Sequence, residues 1–452
     1  MTGAASSLWV TSSAASAQRR DDGYSRNEFG LARTVSSAGF IDHSNPFFQS
    51  LGTNGRSCAS CHVQDQGWAI SADDVQRRFN QTNGRDPIFA LVDGANSPNA
   101  KVSNLDDRRK AFSMLRTKGV IRVERPIPAN AEFELVRVDD PYHYASAAGL
   151  SLFRRPLPST NLGCISTVMW DGREVDPTNP MKIANAPDVN RAILEASLAH
   201  QALDATTGHA QGAGLSPEQQ QQIVDFELGL ATAQVKDVCA GWLNEKGAQG
   251  GPDYIPTFPF YIGINDNVGD PKGPFNPDAM TLYDSWNGAR DDGRASIARG
   301  EKLFNSKPIT ISGVAGLNDN PYFGSPKSFV GTCTSCHNTP NIGNHSLAIA
   351  LNIGIADGSR RTPDMPLYTL RNLTTGQKVT TTDPGLALST GKWSDIGRFK
   401  GPVLRGLAAR APYFHNGSAK DLDAVLDFYR DRFGVFFTRR ERADLIAFLR
   451  SL

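Results

Sequence analysis

Apolar positions recur at helical spacing in three stretches of the chain, two of them behind a capping box. Ser216-Pro217-Glu218-Gln219 opens the first, with proline at the first helical position and Gln219 closing the box; Ile223, Phe226 and Leu230 then mark one apolar side. Ala295 to Phe304 reads as a second helix, with Ile297, Ala298 and Leu303 available to one face. The third starts at the capping box Thr438 to Glu441 and carries Leu445, Phe448, Leu449 and Leu452. Elsewhere the pattern is irregular. Between Gly247 and Asn287, glycine and proline crowd together with Tyr254, Phe258, Phe260 and Tyr261, which predicts a long ordered loop that links domains or walls a channel. No apolar run approaches the length of a membrane span. The pattern predicts a mainly α fold with long irregular loops.

Two short motifs change the picture. Cys58-Ala59-Ser60-Cys61-His62 and Cys333-Thr334-Ser335-Cys336-His337 are both Cys-x-x-Cys-His. In that spacing the two thiols form thioethers with a haem, and the adjacent histidine is held under the iron. With 6 Cys and 8 His in 452 residues, chance yields one such motif on the order of once in a thousand sequences. A zinc site would want its pairs close together, yet these lie 275 positions apart; a thioredoxin-like pair has no need of the trailing histidine. The motifs therefore predict two covalent haems c. His62 and His337 are the expected iron ligands, and Phe47, Phe48, Leu51 and Trp68 are expected to pack around the first haem.

Composition is ordinary for a globular protein of two or three domains, with 21% charged and 39% hydrophobic residues. The formal charge of +1, less four haem propionates, gives about −3, too neutral to predict nucleic acid or anionic lipid as partner. Met1 to Ala17 is rich in Ala and Ser, and Ala15-Ser16-Ala17 resembles a cleavage site, so residues 1–24 are expected to be a leader remnant or disordered N-terminus. Haem attachment of this kind is completed outside the cytoplasm, which favours a periplasmic location. Cys164 and Cys239 remain, and either a disulfide or two separate thiols fits the sequence.

Around the motifs, Met169-Trp170-Asp171-Gly172-Arg173, Phe399 to Arg405, and Arg410-Ala411-Pro412-Tyr413-Phe414-His415-Asn416-Gly417-Ser418 are similar to the bacterial dihaem cytochrome c peroxidase superfamily, which includes MauG. The likeness covers both haem motifs and most of residues 296–452, and is patchy before them. It implies two cytochrome c-like domains, 25–290 with a reactive haem on His62 and 291–452 with a relay haem on His337, and Trp170 between the haems. A buried core tryptophan is the plain alternative for Trp170. In the family the distal ligand of the second haem lies fourteen residues after the histidine of the Pro-Tyr-Phe-His segment, as methionine in the peroxidases and tyrosine in MauG. Counting from His415 reaches Tyr429, with Met365 as the alternative ligand; a phenolate there favours ferric iron. His415 itself is expected to bond a propionate or the backbone.

Three departures matter. No histidine occurs between His62 and His143, so the first haem lacks the family's displaceable ligand and is expected to be open. The family's glutamine followed ten residues later by glutamate becomes Gln201 and Gln211 here, which leaves His209 as the candidate distal acid–base, with Gln201 lining the pocket. An exposed loop histidine is the other reading of His209. Calcium between the haems is implied by the resemblance, but Arg154-Arg155-Pro156 stands where an asparagine is expected. The expected function is activation of hydrogen peroxide at the His62 haem, with oxidising equivalents shared with the Tyr429-ligated haem and used on an organic or protein substrate or a small redox donor such as a cytochrome or cupredoxin. A conventional cytochrome c peroxidase and a non-enzymatic dihaem electron carrier or redox sensor are the alternatives.

Overall fold

The computed structural model describes residues 22–174, 187–267 and 273–452. The leader remnant expected over residues 1–24 lies outside the described residues as far as residue 21. A hairpin of β1 (Tyr24–Asn27) and β2 (Gly30–Ser36) precedes the first motif. After it come α1 (Ala72–Thr82), α2 (Leu105–Ala111), α3 (Ser113–Lys118), β3 (Ile121–Arg125), β4 (Phe133–Asp139) and β5 (Leu150–Arg154). α4 (Pro187–Gly208), α5 (Pro217–Gly229), β6 (Leu230–Asp237) and β7 (Gly241–Trp242) follow. The second motif is framed by α6 (Asp292–Ser306), β8 (Ile309–Ser312) and β9 (Ser328–Gly331), and then come β10 (Leu367–Asn372), β11 (Lys378–Thr381), α7 (Ala387–Thr390), α8 (Leu422–Phe433) and α9 (Arg439–Ser451).

The three predicted helices form, and their caps act as the sequence implies. Ser216 and Gln219 close the box at α5, Thr438 and Glu441 that at α9, and Asp291 caps α6 by accepting from the Arg294 N–H at 2.9 Å. Helices α6 and α9 cross in close contact around Ile297, Phe304, Leu445, Phe448 and Leu449. Gly300 permits that approach, because a Cβ there would stand 2.0 Å from the Asp444 carbonyl oxygen. The stretch from Gly247 to Asn287 is loop with short 3-10 turns at Ile255–Thr257 and Asp284–Trp286 wherever it is described.

One expectation is corrected. The fold is mixed α/β rather than mainly α: among the described residues, strands gather into four small antiparallel sheets, ordered β1-β2-β6-β7, β11-β10-β4, β3-β5 and β8-β9. These strands are short and pair across long stretches of chain, β4 with β10 for example. The apolar–polar alternation of Ile121–Arg125 is too brief to stand out beside the helical runs, and that of Phe133–Asp139 is interrupted. The β4–β10 pairing, and the Arg154–Asp383 ion pair at 2.7 Å, tie the first half of the chain to the second around the site.

Candidate active site

Both motifs fold into the same local device. A 3-10 turn carries the first three residues, Cys58–Ser60 or Cys333–Ser335. The backbone N–H of Ser57 donates to Ser60 Oγ at 3.0 Å, and that of Thr332 to Ser335 Oγ at the same distance. Each histidine N–H then returns to the first cysteine carbonyl at 3.0 Å. His62 Nδ1 donates to the Trp68 carbonyl at 3.1 Å, and His337 Nδ1 to the Gly343 carbonyl at 2.5 Å. A carbonyl can only accept, so both rings carry their proton on Nδ1 and present an Nε2 lone pair for a metal. Burial lowers both imidazoles, His62 to about 4, which keeps that lone pair available.

Each motif lines a large cavity. The first is walled by Cys58, Cys61, His62, Leu51, Ile165 and Val168; the second by Cys333, Cys336, His337, Leu351, Phe399 and Leu426. Phe47 and Trp68 pack in the cluster that holds Cys58, and of the four residues expected around the first haem Leu51 is the one in the cavity wall. Trp170, Lys400 and Pro402 line both cavities and so form the partition between them. The Trp170 indole N–H donates to the Arg155 carbonyl at 2.8 Å, and its ring lies edge-on to His415 with centroids 6.2 Å apart. Met169 and Phe414, just before these two rings, take left-handed backbone at φ 64° and 65°, a conformation that costs a non-glycine residue about 1–2 kcal/mol.

Tyr429, on α8, lines the second cavity and stacks on Phe433 with ring centroids 6.0 Å apart. Burial, then the nearby Cys333 and Cys336 thiols, pushes its phenol well up. Met365 does not compete: it packs with Met114, Val120 and Phe153 and lines neither cavity. His415 also reaches the second cavity, stacked on Phe399 at 4.0 Å, with no hydrogen bond to either ring nitrogen and Asp383 Oδ2 at 4.0 Å.

Gln201 and His209 both line the first cavity and also an open groove walled by Arg122, Glu124, Arg125 and Asp204. His209 Nδ1 donates to Asp93 Oδ2 at 2.5 Å, and the buried carboxylate of Asp93 is paired in turn with Arg56. Those partners, with burial opposing them, hold the Asp93 carboxyl below its ordinary range.

The chemistry of the wall tests whether haem fits. Arg155, Arg405 and Arg410 line the first cavity, each less than a tenth exposed, and donate only to backbone carbonyls: Arg155 to Ile70 and Arg410, Arg405 to Gly251, Arg410 to Val403 and Arg405. Burial lowers Arg155 to about 9 and Arg410 to about 10. Buried guanidinium groups without a counter-charge cost several kcal/mol each, so a cavity walled by three of them is suited to a ligand that brings carboxylates. A haem has an apolar ring and two propionates, and the residues fit it.

Calcium does not fit at Arg154. Its guanidinium bonds Asp171 at 2.5 Å and Asp383 at 2.7 Å, and all three side chains are buried. The two carboxylates already have their cation, and a second one would be repelled. Cys164 is buried and Cys239 exposed, and both are free thiols. Sequence reasoning missed Asp93, which sits in a loop with no motif around it. It quoted Lys400, Arg405 and Arg410 within longer motifs without seeing that they ring a cavity.

No protein-family model matches the chain. A segment is 30% identical over 139 residues to the cytochrome-c peroxidase IdrP1 of Denitromonas iodatirespirans, covering 26% of this chain and 36% of that protein. IdrP2 of the same organism and IdrP1 of Pseudomonas sp. (strain SCT) match at 30% over 142 and 141 residues. The chain thus spans about a third of the length of the curated relatives it matches. A solved structure described as a MauG-like protein associated with microbial copper homeostasis aligns over 90% of this chain and 87% of its own, at 16% identity and a TM-score of 0.36. The matched segment thus resembles part of proteins named cytochrome-c peroxidases, at low identity.

Proposed function

We propose that the protein is a dihaem c-type peroxidase that takes hydrogen peroxide at the His62 site and shares the oxidising equivalents with the His337 site. The observation that carries this reading is the pair of Cys-x-x-Cys-His cavities divided by one indole, Trp170. Cys58 and Cys61, and Cys333 and Cys336, would hold the two haems by thioethers, with His62 and His337 as proximal ligands through Nε2. When bound, the haems supply iron that accepts oxidising equivalents from peroxide.

The protein's own residues then have separate tasks. Asp93 accepts the His209 Nδ1–H, which leaves Nε2 as the ring nitrogen able to exchange a proton. His209 would move the proton from the inner peroxide oxygen to the outer one, which departs as water as the O–O bond breaks; the two electrons for that cleavage are what a bound haem would supply. Gln201 lines the same wall and orients the oxidant. Trp170 passes electrons between the two sites. Tyr429, in the wall of the second cavity, would hold the iron of a haem bound there through its phenolic oxygen. The last acceptor of the oxidising equivalents is an organic or protein substrate or a small redox protein, in a periplasmic setting. Among the described residues no helix is long and apolar enough to cross a membrane.

The test is carbon monoxide binding to the fully reduced holoprotein, together with peroxide consumption in the presence of an electron donor. One haem binding carbon monoxide, with donor-dependent turnover, is the expected result. Two haems closed to carbon monoxide and inert to peroxide would replace the reading with an electron carrier.

A further inference from the structure

Lys400 is the one cationic side chain in the partition, and it faces both cavities. Its position is fixed at both ends. The backbone N–H donates to the Trp170 carbonyl at 3.0 Å, and Nζ donates to the Thr167 carbonyl at 2.7 Å. An ammonium has three protons, and that single bond uses one of them. No carboxylate of the described residues pairs with it. The nearby acids are committed elsewhere: Asp171 to Arg154 and Arg173, and Asp383 to Arg154. Burial lowers the Lys400 ammonium to about 7.

The neighbouring cations divide differently. Arg155, Arg405 and Arg410 line the first cavity alone. The second cavity has no arginine in its wall, and Lys400 is the one lysine there. A haem in the second cavity therefore meets Lys400 as the fixed cation available to a propionate, whereas the first cavity has six arginines in its wall, three of them already paired with Asp93 or Asp171.

We infer that Lys400 holds a propionate carboxylate from each of the two haems, joining the two cofactors through one ammonium beside Trp170. The inference rests on the dihaem reading. Two of the ammonium protons are free for these bonds while the third stays on Thr167. The charge sits on the electron path, so it stabilises the reduced state of both haems at once. Removing it makes both harder to reduce, by roughly tenfold in the reduction equilibrium constant of each, the scale set by a unit charge about 12 Å from the iron at an effective dielectric near 20.

The experiment is a spectroelectrochemical titration of wild-type, Lys400→Met and Lys400→Arg holoproteins, after haem content is fixed by mass and by the pyridine haemochrome. Fewer than two covalent haems in the wild type would refute the dihaem reading itself. With two haems present, Lys400→Met is expected to lower the reduction equilibrium constant of both, and Lys400→Arg to restore most of it. A change at one haem only, or at neither, overturns the shared link. If Lys400→Met does not mature, Lys400→Arg carries the test by resonance Raman: the propionate bending bands of both haems move. Movement at one haem or none overturns the inference.

Discussion

The indole N–H of Trp170 donates to the backbone carbonyl of Arg155 at 2.8 Å, at the wall shared by the two cavities. A carbonyl cannot take the proton away. An electron can leave this ring without a proton following it, which suits a relay rather than a stable radical store. Trp170→Phe keeps a ring in the partition but loses the donor and the more easily oxidised indole. The variant is expected to bind both haems and to slow electron exchange between them at least tenfold, measured by stopped-flow absorbance after reduction of one haem. An unchanged rate would reduce Trp170 to a packing residue.

Asp93 acts through His209, as the residue that sets its tautomer. Asp93→Asn removes the carboxylate while keeping the size, so the imidazole no longer has an anion to hold its Nδ1 proton. The bimolecular rate of the peroxide reaction should fall about ten- to a hundredfold, with the resting spectrum of both haems unchanged. His209→Gln should give a similar loss, and the double variant no further one. Full rates in both single variants would return His209 to the status of a loop histidine.

In the proposed reading, Tyr429 would distinguish a low-potential second haem from an ordinary peroxidase relay. Tyr429→Met, which substitutes a thioether, should raise that haem's reduction potential; Tyr429→Phe should leave an open position that binds carbon monoxide when reduced. If neither variant alters the second haem, another residue in its cavity, His415 or His345, is the ligand.

Glu301 provides a stability test away from the cavities' chemistry. It is 2% exposed on α6, accepts the Tyr283 N–H at 2.9 Å and is raised to about 8, chiefly by burial. Its folded value lies above the ordinary 4.5 of the unfolded chain, so the folded state binds the extra proton. Stability is therefore fully present below about pH 4.5 and is lost as pH rises toward 8. Glu301→Gln keeps the acceptor and removes the ionisation. Its thermal midpoint should match the wild type near pH 4.5 and exceed it by about 3–6 °C at pH 8. A constant difference across that range would contradict the assignment.

Much of the cofactor site was legible because its chemistry is local. Five consecutive residues fix a haem attachment, and the two motifs adopt the same turn and the same histidine bond. The caps at Ser216 and Thr438 were readable for the same reason. What escaped was everything built by long-range pairing. β4 meets β10 across more than 200 positions, and nothing in either strand announces the other. Asp93 meets His209 across 116 positions. Arg154, read as a missing calcium ligand, acquires its meaning only when Asp171 and Asp383 close on it.

The account stands or falls on whether the two sites share oxidising equivalents. The most direct measurement is the addition of one equivalent of hydrogen peroxide to the diferric holoprotein, followed in the visible and near-infrared over seconds to minutes. The account predicts that both haem spectra change together and that a near-infrared band appears, persists without a donor, and is absent in Trp170→Phe. A change confined to one haem, or no change at all, would contradict it.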